Sequence, residues 1–147
     1  MSEESTNKAS TAYWVIAGVM LVWNLIGLMF YYQQSTLTPE IMMDAGLTAQ
    51  QIAHITNTPA WGHSGYAIAV NAGVLGAIFL LLRKTWAIPM FILSLVGALV
   101  QDLDAIVLRD ALDAWGSSGM WLPILVIVIC VFEIWYSRRA KAKGILA

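Results

Sequence analysis

Four stretches of apolar residues, each close to the length needed to cross a bilayer, leave this chain of 147 residues little choice of fold. A helix needs about 20 predominantly apolar residues to span the hydrocarbon core. The runs at 13–32 and 60–82 meet that length, and those at 85–101 and 120–136 approach it. Charged residues make up only 12% of the chain, where a soluble domain carries about 25%. With 59% apolar residues and a mean hydropathy of +0.71, lipid is expected to cover much of the surface. The expected fold is all-α: an integral membrane four-helix bundle forming one domain over 13–139. Residues 1–12 read as a disordered polar tail and 140–147 as a basic tail. The first apolar run is too long for a cleaved secretory signal and reads as a retained span.

Basic residues set the direction. Lys8, Arg83, Lys84, Arg138, Arg139, Lys141 and Lys143 precede the first span, join the second to the third, or follow the fourth, and Arg109 alone lies elsewhere. The positive-inside tendency then places both termini in the cytoplasm. Trp14, Tyr31, Tyr32, Trp61, Trp86, Trp121, Trp135 and Tyr136 fall at span ends, where amphipathic rings anchor to headgroups.

The remaining connections read as structured. Thr38-Pro39 and Thr58-Pro59 each offer a cap followed by proline at the first helical position, and Thr48 with Gln51 forms a capping-box pattern. Short interfacial helices are expected here, with Met42, Met43, Ile52 and Ile55 on their undersides. In "DLDAIVLRDALDAW" a continued helix would set Asp102, Arg109 and Asp113 on one face; a mobile loop is the alternative.

Gly65, Ala69, Gly73 and Ala77 recur every fourth residue in the second span, and Gly62 and Gly76 widen the stripe. Lipid tails are as apolar as leucine, so membrane helices gain from close backbone contact, which small residues permit. Ser94, Gly97 and Ala98 on the third span, and Ala17 with Gly27 on the first, offer matching faces. Asn24, Asn71 and Ser94 lie near mid-span, where they either bond helices together or line a polar pocket. His63, Gln101 and Asp102, with Gln33, form a second polar group toward the outer end. Glu133 is an acid inside an apolar run, read as a salt bridge to Arg83, Lys84 or Arg138 or as a proton or substrate site. The pentapeptides "NLIGL" at 24–28 and "SLVGA" at 94–98 echo one another in spans that run the same way.

Cys130 stands alone, and His54 and His63 share no ligand spacing, so no disulfide, metal or cofactor is expected. No serine elbow, phosphate loop or basic patch points to an enzyme or to nucleic acid. "VWNLIGLMFY", "TPAW", "AGVLGAIFLLLRKTWAIP" and "ILSLVGALVQ" resemble a group of small bacterial four-helix inner-membrane proteins that often carry the label of sugar transporter. That resemblance implies a bacterial inner-membrane location and a four-span topology. The expected function is a carrier for a small molecule, with Asn24, Asn71 and Ser94 at the ligand and His63 and Asp102 on its outer access. The alternative is an accessory or scaffold protein assembling with itself or with a partner membrane protein.

Overall fold

Helices long and apolar enough to cross a membrane number four in the computed structural model, which describes residues 8–147. They are α1 (Thr11–Ser35), α4 (Ala60–Leu81), α5 (Ala87–Asp102) with the helical segment that carries it on to Leu108, and α7 (Trp121–Ala142) with the helical turn that leads into it from Ser117. Three short helices occupy the connections at one end: α2 (Pro39–Asp44), α3 (Ala49–Thr56) and α6 (Ala111–Trp115). We call this the capped end and the opposite one, carrying Lys8, Arg83 and Lys84, the basic end. Among the described residues the secondary structure is wholly helical.

Residue size, more than polarity, decides what faces inward. Val15, Val19, Val22, Leu75, Leu93, Val96, Val128 and Val131 are exposed, whereas the buried positions of α4 are Gly62, Gly65, Ala69, Ala72, Gly73, Gly76, Ala77 and Leu80. This is the reverse of a water-soluble core, and it suits a solvent of lipid tails. α4 packs against α5 most extensively and against α1 on another side, while α5 also packs against α7. At the α4–α5 crossing the backbones nearly touch. A Cβ added at Gly97 would lie 2.6 Å from the Gly65 carbonyl oxygen and 2.7 Å from the Ala69 nitrogen. Gly76 similarly makes room for the Phe91 ring.

Dense apolar packing gathers at the basic end around Tyr13, Ala17, Met20, Ala77, Leu80, Ala87 and Phe91. The Tyr13 hydroxyl donates to the Leu80 carbonyl, and its ring stacks 6.2 Å from that of Tyr136. The last residues join this packing. α7 continues to Ala142, Leu146 is buried, and Ala147 exchanges backbone bonds with Arg83 and Thr85. Residues 1–7 of the expected N-terminal tail lie outside the described residues; of the remainder, Ala9 is buried and Ser10 caps α1 by accepting from Tyr13 N–H.

Of the local expectations, two caps hold and others are corrected. Thr38 caps α2 with Pro39 at the first position, and the Thr48–Gln51 capping box closes both of its bonds. At α4, however, Pro59 itself is the N-cap and the Thr58 hydroxyl bonds back to the Ile55 carbonyl. Met42 is buried but Met43 is exposed, so the underside of α2 rests on one methionine. The helix expected through "DLDAIVLRDALDAW" is broken. After α5 the chain widens into a π-helical segment, Leu103–Leu108, then turns at Asp110, whose φ of 49° is left-handed, before α6 begins.

Candidate functional site

In the capped half of the bundle the four long helices line a cavity of about 210 Å³. α4 and α5 form its back through Tyr66, Ala69, Val70, Ser94 and Ala98. α1 contributes Trp23, Asn24, Ile26, Gly27 and Phe30, and α7 contributes Leu122, Pro123, Val126 and Cys130. The expected cavity lay between the first three spans; the fourth completes it. Gln101 and Asp102 enter from the last turn of α5.

The bottom of the cavity is a bonded polar layer. Asn24 is buried, and its amide nitrogen donates to the Met20 carbonyl at 2.8 Å and to a Glu133 carboxylate oxygen at 2.9 Å. Ser94 donates to the Ala69 carbonyl at 2.6 Å. Gly73 is part of the same device: a side chain there would collide with the Asn24 amide oxygen and press on the Ser94 hydroxyl. The echoed pentapeptides therefore flank α4 alike. Asn24 and Ser94 line the cavity, while Gly27 and Gly97 abut Val70 and the Gly65–Ala69 backbone.

Glu133 is 1% exposed and meets Asn24 across the bundle, far from the cytoplasmic bridge to Arg83, Lys84 or Arg138 that the sequence suggested. It belongs to a stripe on α7 with Cys130, Ser137 and Ala140, all buried, at helical spacing. That stripe of small and polar residues was the available signal. Glu133→Gln is expected to leave the fold intact, because the glutamine carbonyl accepts the same Asn24 bond. Glu133→Leu should cost about 1 kcal/mol, the scale of one interhelical bond in a membrane. Thermal unfolding of both variants in detergent checks this.

Two residues expected at the ligand are elsewhere. Asn71 is exposed on the far side of α4 and donates to its own Ala67 carbonyl at 2.7 Å. His63 is exposed on the same helix and does not meet Asp102. Gln33 is also exposed.

The sequence reading missed a densely bonded polar cluster around Asp104 and Arg109. Asp104, 1% exposed, takes a forked contact from Arg109, with Nε at 2.9 Å and Nη2 at 2.6 Å from Oδ2. Arg109 Nη1 also donates to the His54 carbonyl. The His54 ring bridges onward: Nε2 lies 3.0 Å from the Ala105 carbonyl and Nδ1 accepts from Trp115 Nε1 at 3.4 Å. Gln50 donates to Asp113 beside them. Asp102, Arg109 and Asp113 thus have three separate fates instead of one shared face. Gly62 leaves the space Asp104 occupies, since a Cβ there would stand 2.7 Å from its carboxylate. This cluster fastens α3 and α6 to the end of α5 beside the cavity.

Among the described residues no group of three or more His, Cys, Asp or Glu side chains is arranged to hold a metal ion. No family model, curated protein or solved structure matches the chain.

Proposed function

We propose that this chain is a carrier-like integral membrane protein that binds a small molecule in the four-helix cavity and performs no covalent chemistry. The observation that carries the reading is the pairing of Gln101 and Asp102 on the cavity wall. Neither side chain hydrogen-bonds to any described residue, although both are partly withdrawn from solvent. Polar groups that are neither paired nor fully solvated are costly, and a bound solute would satisfy them. The basic residues at one end support a cytoplasmic location for both termini. The resemblance in the sequence supports a bacterial inner membrane.

A second reading, an accessory protein that assembles through its flanks, is favoured by Asn71. It places an amide at mid-span on an outward face, where lipid offers no partner and a neighbouring helix would. A thermal-shift screen of purified protein against sugars, amino acids, lipids and quinones separates the two. The carrier reading expects a ligand that stabilises the wild type and not Val126→Trp, which fills the cavity, together with flux in proteoliposomes. If no solute stabilises the protein and Asn71→Leu dissociates an oligomer, the second reading stands.

A further inference from the structure

The cavity's chemistry is lopsided. Among the described residues, Asp102 is the one charged side chain on its wall, and no Lys, Arg or His lines it. The Asp102 carboxylate has no ion-pair or hydrogen-bond partner among the described residues. A second acid, Glu133, stands behind the floor through Asn24. Trp23, Phe30 and Tyr66 supply aromatic walls, whose ring faces attract cations.

The side of the cavity between α1 and α7 is equally particular. α1 and α7 meet through Asn24 with Glu133 and Tyr13 with Tyr136, and pack together far less than α4 does with α5 or α1. Toward the capped end the cavity fills the space between them. The residues framing this side, Ile26, Phe30 and Leu122, are exposed and apolar, 41%, 51% and 44% respectively. Such a frame faces lipid more readily than water.

We infer that the cavity, given the ligand-binding role proposed above, selects a small hydrophobic organic ammonium that enters sideways from the bilayer and sets its charge against Asp102. The apolar body would rest on Trp23, Phe30, Val126 and Tyr66. Phospholipid amines fit poorly, because their phosphate would find no cation on the wall.

The test uses the full chain purified in an uncharged maltoside detergent. Benzyltrimethylammonium and neopentylbenzene, its uncharged isostere, are titrated by calorimetry against wild type, Asp102→Asn, Asp102→Glu and Val126→Trp. Wild type should bind the cation at least about tenfold more tightly than the neutral compound, on the scale of one charge contact. Asp102→Asn should lose that preference, Asp102→Glu should recover it, and Val126→Trp should bind neither. Equal binding of both compounds by the wild type, lost in Val126→Trp, overturns charge selection and leaves the cavity as a ligand site. Cation binding undiminished in a folded Asp102→Asn also overturns it. Should Asp102→Asn fail to fold, the wild-type comparison of the two compounds decides alone. If neither compound binds, the inference falls, and the cavity reading falls with it only when the wider solute screen is also blank.

Discussion

Arg109→Ala should remove about 3 kcal/mol of stability, because it strands the Asp104 carboxylate in a site that is almost closed to solvent. The Asp104 side chain is 2% exposed and its guanidinium partner 18%. Taking away the cation leaves the desolvation cost of the acid in place while deleting the contact that offsets it. The His54 carbonyl loses a donor at the same moment, so the damage should spread to α3 and α6. Arg109→Lys should recover only part of the loss, since an ammonium cannot reproduce the forked contact and reach the carbonyl as well. Replacing both members, Asp104→Leu with Arg109→Leu, should be milder than Arg109→Ala alone. Equilibrium unfolding in mixed micelles measures the energies, and amide exchange in α3 reports the loosening. A change within about 0.5 kcal/mol for Arg109→Ala would mean that the pair is solvated and contributes little.

Gly97→Leu is expected to be more severe and to prevent recovery of folded protein. Even the first carbon of the new side chain meets main-chain atoms of Gly65 and Ala69, which cannot rotate away. The two helices must part along their length, and the cost exceeds the roughly 1–3 kcal/mol typical of an overfilled core. Gly97→Ala samples the same contact more gently, at about 2 kcal/mol on that scale. Gly65→Ala should behave alike, since its Cβ would stand 2.9 Å from the Gly97 carbonyl oxygen. The double variant should cost less than the sum of the two, because one separation of the helices relieves both clashes. Melting temperatures of the four proteins in one detergent test this, and strict additivity would indicate that the helices do not cross here.

The small-residue stripe was legible in the sequence because it is local: Gly65, Ala69 and Gly73 repeat at helical spacing on one segment. Height along the bundle was also legible for Asn24 and Ser94, which both lie against Gly73. Direction around the axis was neglected for Asn71. It stands two positions from Ala69 and from Gly73, which at about 100° per residue turns it to the opposite side of the helix. His63 stands in the same relation to Gly65. Glu133 and Asn24 meet across 109 positions of sequence, and no local pattern announces such a contact. The Asp104–Arg109 pair was hidden for a different reason. Its members are five residues apart, a spacing that a regular α-helix does not bring together, whereas the π-helical segment does, with Arg109 N–H bonded to the Asp104 carbonyl at 3.0 Å.

Entry from the side between α1 and α7, as inferred above, would change how any solute should be ranked. Occupancy would follow the solute's mole fraction dissolved in the leaflet, so two compounds matched in water but unequal in oil–water partition would fill the protein unequally. A series of compounds differing in chain length should therefore show apparent aqueous affinities that climb with lipophilicity, at a constant intrinsic affinity once corrected for partition.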